Sequence, residues 1–255
     1  MTTHRLPFRL ALLALAAALL ALPATAARRN DDPLSLVPAD AAAVGVVRWN
    51  ELRSSPLGAR LFSETDHLTV DGDAARFMAE ARLSPKDDVD VIVVAGSPAP
   101  SGQGQSSGLV LFAGRFDPDR LSAALAARGG QLKSASGGDY YLLPEKGSDG
   151  HGKPGAVSFA SAHLVIAGDE ASVVAALARR VAGGADFASR AALGSQFSRI
   201  SPDAAAWALV DVRRLPVSRK ADVSASGETG QLIGAMKSVS VVALQAAVKI
   251  GRAHV

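Results

Sequence analysis

Apolar and polar positions divide the chain into short strands and amphipathic helices. Ala41–Trp49 (AAAVGVVRW) reads as a buried strand and Val89–Ala95 (VDVIVVA) as a β-branched one. Between them, Ser55-Pro56 starts a helix that runs to about Phe62, and Asp73 caps a second helix ending near Leu83. Leu109–Phe116 is the next strand. Asp117-Pro118 then opens a helix in which Leu121, Ala124, Leu125 and Arg128 keep helical spacing, closed by Gly129-Gly130. Tyr140–Leu143, Ala156–Ala160 and Leu164–Ala167 read as short strands, the last two joined tightly around Ser161-Ala162. Asp169 caps a helix with Val173, Val174, Leu177 and Val181 on one stripe and Gly183-Gly184 after it. Ser189–Ile200 reads as helical, Ala205–Val212 as a strand, Gln231–Lys237 as a short helix and Val239–Val248 as a final strand. Polar, Gly-rich or Ser-rich connectors fall at 97–108, 144–155 and 218–230.

Strands that follow one another directly form hairpins. The pattern therefore predicts an α+β fold: a largely antiparallel sheet with helices packed on one face. Val91–Val94 and Leu109–Phe112 are apolar on both parities, which predicts central strands buried on both sides.

The chain also resembles itself. Val37–Leu52 (VPADAAAVGVVRWNEL) matches Ile200–Leu215 (ISPDAAAWALVDVRRL) without gaps, with identities at Asp40/Asp203, three Ala pairs, Val47/Val210 and Leu52/Leu215. Val89–Val94 then finds a partner starting at Val239. We read this as an internal duplication, with a first α+β repeat at 37–199 and a truncated second copy beginning at 200–249. Chance is the competing explanation, because three of the identities are Ala in an Ala-rich chain. Arg48 and Asp211 occupy equivalent repeat positions inside apolar runs. Three arrangements follow for them. They pair across a pseudo-twofold axis or flank a shared groove with Trp49 and Trp207, or they are outward polar residues at strand ends.

The first 26 residues have another character. Arg5 and Arg9 precede an unbroken apolar run, Leu10–Leu22, followed by Pro23 and Ala24-Thr25-Ala26. This is the layout of a secretory signal peptide cut after Ala26. The competing reading is an uncleaved anchor, for which the run is short. Residues 27–36 read as a flexible mature N-terminus. The expected location is the periplasm or the exterior, without stable membrane insertion after cleavage. The last six residues, Ile250-Gly-Arg-Ala-His-Val255, match one reading frame of a common sequencing adapter. We expect them to be foreign, the alternative being a natural polar tail.

Charge and composition then exclude partners. Of the formal +3, Arg5 and Arg9 belong to the leader and Arg252 to the terminal hexapeptide. A near-neutral mature chain with 5% aromatics lacks the basic face that nucleic acid requires. The chain has no Cys, which removes thiol nucleophiles and thiolate metal sites.

The motifs that remain carry little chemistry. His67, His151 and His163 are not at metal-ligand spacing. His151 lies in a Gly/Lys loop, His163 begins a strand, and His67 lies in a polar turn. Gly104-Gln105-Ser106-Ser107-Gly108 matches G-x-S-x-G, but a connector precedes it and a strand follows, the wrong setting for a nucleophile elbow. Asp87-Asp88 and Asp169-Glu170 suit capping better than acid–base work. No catalytic, cofactor-binding or metal residues are assigned, and no cofactor is expected.

The opener LVPADAAAVGVVRW (36–49), FDPDRLSAAL (116–125) and HLVIAGDEASVVAALA (163–178) resemble a pattern in uncharacterised bacterial exported proteins. The resemblance implies export and an α+β fold and transfers no catalytic residues. Three functions follow in order: a non-catalytic envelope protein that binds a protein or envelope component, an apolar-ligand or lipid carrier of the periplasm, and an envelope hydrolase with an unrecognised site.

Overall fold

The computed structural model describes residues 31–55, 58, 72–97, 107–144, 154–189, 191–201, 204–214 and 241–246. The signal peptide, His67, His151, the helices read up to Phe62 and over Gln231–Lys237, most of the G-x-S-x-G match and the terminal hexapeptide lie outside these residues.

Among the described residues, nine strands form one antiparallel sheet: β1 (Ala43–Arg48), β2 (Val89–Ser97), β3 (Ser107–Gly114), β4 (Gln131–Ala135), β5 (Gly138–Leu142), β6 (Gly155–Ser161), β7 (Leu164–Asp169), β8 (Ala206–Asp211) and β9 (Val241–Ala246). Their order is β4-β5-β6-β7-β3-β2-β1-β8-β9. The fold is α+β with an antiparallel sheet. The two runs that are apolar on both parities lie side by side in mid-sheet as β2 and β3, and the strand read at Val239–Val248 has its partner in β8.

One face carries the main core. Helix α5 (Glu170–Ala182) lies over it, with Val173, Ala176 and Leu177 fully buried against Val93, Leu111, Leu164 and Ile166. Asp169 caps α5 as the sequence predicts, accepting from Ser172 N–H at 3.0 Å. Its second carboxylate oxygen accepts from Gly108 N–H at 3.0 Å, tying the helix start to β3. The predicted stripe holds except at Val181, which is 64% exposed in the last turn. The short helix α6 (Ala191–Phe197) completes this layer through Leu193 and Phe197, beside Phe187 and Trp207.

A smaller helical layer lies on the other face. Helices α2 (Asp73–Ala81) and α4 (Pro118–Ala126) pack together through Ala81, Leu121 and Ala124, with Phe116 and Phe159 against them. Along β6, Ala156 joins the main core while Phe159 meets this second cluster, so alternation in one strand serves both layers. Two five-residue-or-shorter helices, α1 (Trp49–Arg53) and α3 (Pro85–Asp88), flank the start of β2.

Three local expectations are corrected. The N-terminal stretch is not loose over 31–36. Pro33–Leu36 forms a 3-10 turn, Leu36 and Val37 are buried, Arg179 donates to Leu36 O at 2.8 Å, and Arg180 donates twice to Asp31. Burial of Leu36 and two arginines on α5 outweighs the Pro-broken, polar character of the segment. Helix α2 is capped by Gly72 and not by Asp73, which is its first helical residue. The chain turns into a helix at Trp49, where the sequence reads a continuing strand.

Candidate functional site

The β1–β8 junction sits at the centre of the repeat match. Gly45 lies directly opposite Ala208, and these are matched positions of the two sequence copies. Arg48 N–H donates to Ala205 O and Asp211 N–H donates to Ala42 O, each at 2.7 Å. Those two bonds are also exchanged by the match. The β1–β2 and β8–β9 pairs repeat the arrangement: Val94 lies opposite Gly45, and Leu244 opposite Ala208.

This register separates the residues singled out from sequence. Arg48 and Asp211 close opposite ends of the β1–β8 ladder, about 20 Å apart at ~3.3 Å per residue. Arg48 pairs with Glu51 at 3.4 Å within its own turn. Asp211 is 5% exposed. Trp207 is a core residue, 6% exposed, with its ring 5.4 Å from Phe197 and 6.2 Å from Phe187. Trp49 heads α1 at the Arg48 end. The four therefore do not form one groove, and Arg48 and Asp211 do not pair. In a cycle of Arg48→Ala, Asp211→Ala and the double variant, urea denaturation should give additive losses within about 0.5 kcal/mol. A coupling of 1 kcal/mol or more would contradict this register.

The face opposite α5 has a different feature. One cross-sheet row runs through every strand: Leu132, Tyr141, Val157, Ala167, Val110, Val94, Gly45, Ala208 and Leu244. None of these residues is charged. The neighbouring rows on this face, Ala206–Val47–Ile92–Phe112–Val165 and Val210–Ala43–Gly96–Gly108, are uncharged as well. Helices α2 and α4 cover the Phe159 end. Toward β9 the described residues leave Val94 50% and Leu244 61% exposed. The sequence predicts burial on both sides of β2, and here one side is open. The small residues Gly45 and Ala208 leave a low strip between Val94 and Leu244.

A separate open cleft of about 310 Å³ lies where the ends of β2 and β3 meet α2, α4 and the β6–β7 turn. It holds Arg82, Arg115, Arg120 and His163 beside Phe116 and Leu121. The His163 ring bonds the Gly114 carbonyl through Nδ1 at 3.1 Å, and no serine is among the described residues that line the cleft. A smaller cleft of about 230 Å³ lies by Gly129, Leu142 and Leu143. Among the described residues, no group of three His, Asp or Glu side chains is placed to hold a metal, and no helix is long and apolar enough to cross a membrane.

The acidic pairs act structurally. Asp88 accepts from Ser84 N–H at 2.7 Å at the start of α3. Glu170 accepts from Tyr140 Oη at 2.7 Å and from Lys133 Nζ at 3.0 Å, joining α5 to the β4–β5 hairpin. The Tyr140 hydroxyl, then Lys133, hold the Glu170 carboxyl below its ordinary value, and the same bond raises the Tyr140 phenol. Because the folded-state value of Glu170 is lowered, its stabilisation is present above about pH 4.5 and is lost as pH falls through the folded value. The fall of Tm on acidification should therefore be shallower in Glu170→Gln than in the parent. Equal slopes would remove this contact from the acid response.

No protein-family model and no curated protein matches the chain. Among solved structures it is similar to crystal form IV of TP0453, at 13% identity and a TM-score of 0.46, over 74% of this chain and 67% of that one. Crystal form III of TP0453 gives 10% identity and a TM-score of 0.43, over 71% of this chain and 63% of that one.

Proposed function

We propose that the protein is a non-catalytic, exported envelope protein that binds another envelope protein through the uncharged face of β2-β1-β8-β9. The carrying observation is the row Val94–Gly45–Ala208–Leu244, apolar throughout and exposed at both of its large side chains. Exposed apolar surface of this kind marks interaction sites. A surface without charge is matched by an apolar protein surface and not by an acidic or basic polymer. Export rests on residues 1–26 and on the resemblance to exported proteins.

The other two readings have less support. An apolar-ligand carrier calls for a roomy apolar interior, but the space between the sheet and α5 is filled by residues such as Leu111, Ile166, Val173 and Leu177, and both clefts above are open. A hydrolase calls for a nucleophile beside a base, but among the described residues that line the cleft with His163 there is no serine or threonine. The test is co-purification from cell envelopes with the parent and with Val94→Lys/Leu244→Lys. A defined protein retained by the parent and lost from the variant supports the proposal; the same protein retained by both overturns it.

A further inference from the structure

We propose that the cleft between α2, α4 and the β6–β7 turn binds a phosphate monoester, with arginines on the phosphate and an attached apolar group resting on Phe116 and Leu121. This site is distinct from the uncharged sheet face and does not depend on it.

Arg82 lines this cleft. It is the one non-Gly residue among those described with a positive φ, at 50°. It closes α2 in the left-handed conformation, its N–H reaching Ala79 O at 3.2 Å while Leu83 N–H reaches Met78 O at 2.9 Å. Glycine fills this position without strain, and an L side chain does not. Strain of this kind is held where surrounding structure fixes it, often at binding sites. Here the strained position, at the edge of the cleft, is filled by an arginine.

Two more arginines reach the same cleft from other segments. Arg115 follows β3 and is steadied by donating to Asp87 O. Arg120 lies in the first turn of α4, with Nε 3.0 Å from Asp117. The acidic side chains present are already engaged: Asp88 with Ser84 N–H, and Asp117 with Arg120 through both its N–H and its guanidinium. Three arginines and two aspartates line the cleft, a formal excess of positive charge, and of the arginines only Arg120 is paired with one of those carboxylates. Planar guanidinium forks match the oxygen geometry of phosphate. With Nδ1 on Gly114 O, the other ring nitrogen of His163 is left for a ligand. The cleft volume suits a small molecule.

The test is titration calorimetry of the full chain with octyl phosphate and with inorganic phosphate. Saturable binding of octyl phosphate, with weaker binding of inorganic phosphate, is expected. Arg82→Gly should lower affinity for octyl phosphate by about tenfold or more while Tm is held or raised, because glycine relieves the strain. Should Tm fall in that variant, Arg115→Gln decides alone, with the same expected loss. Arg213→Gln, at the far end of the sheet, should bind as the parent does. Sedimentation with phosphatidylcholine vesicles, with and without phosphatidic acid, separates a lipid source of the phosphate from a free one, and either supports the site. Absence of octyl phosphate binding, or parent-like affinity in both arginine variants, overturns it. Neither result bears on the Val94 and Leu244 substitutions.

Discussion

Gly137→Ala should destabilise the fold by about 3 kcal/mol. Gly137 sits in the tight turn between β4 and β5 with φ +101°, in the region that side chains rarely adopt. A Cβ there would also run into the backbone carbonyl of Leu177 and lie 3.2 Å from Val181 Cγ2. Backbone strain and steric overlap with α5 therefore add. Gly129→Ala is the control, because Gly129 has φ +81° but nothing within 4 Å of the new atom. That variant should lose about 1 kcal/mol, the conformational term alone. Urea denaturation of both measures the difference. Equal losses would show that α5 does not press on the β4–β5 turn, and would undermine the Tyr140–Glu170–Lys133 contact as well.

Val94→Lys combined with Leu244→Lys should leave the isolated protein folded, with stability changed by about 1 kcal/mol or less, because both sites are at least half exposed. Binding should respond far more strongly. An ammonium group buried against an apolar partner without a counter-charge costs several kcal/mol, so the complex should weaken by about 100-fold or more. Equilibrium binding to the co-purified partner gives that number. A loss below about threefold would place the interface elsewhere. The same substitution made at Val181, equally exposed on α5, should leave binding unchanged.

The elements legible in the sequence are those whose burial depends on their own pattern. β2, β3 and β7 carry dense apolar runs and α5 an apolar stripe, and the caps of α4 and α5 at Asp117 and Asp169 behave as local chemistry requires. Strand β4, Gln131–Ala135, escaped because it is an edge strand with Lys133 and Ser134 in it and Leu132 facing out. Residues 31–36 escaped because their order comes from Arg179 and Arg180, far along the chain. The repeat match carried more than it claimed. Its offsets place Gly45 opposite Ala208 and relate Val94 to Leu244, but only the register reveals that these four form one row. The Arg48–Asp211 pairing failed for the same reason, since antiparallel pairing about Gly45 sends equivalent strand ends apart. The basic cleft had one local sign, an arginine in the usual glycine position after α2. Its other members come from segments that only the β2–β3 pair and the β6–β7 turn bring together.

Photo-crosslinking in intact cells tests the central claim most directly. A photoreactive amino acid is placed singly at position 94, at 244 and at 181, the first two on the open sheet face and the third on α5, all at least half exposed. One shared protein adduct is expected from 94 and 244 and none from 181. Adducts from 181 alone, equal adducts from all three, or crosslinks from 94 and 244 only to this chain's own residues would contradict it.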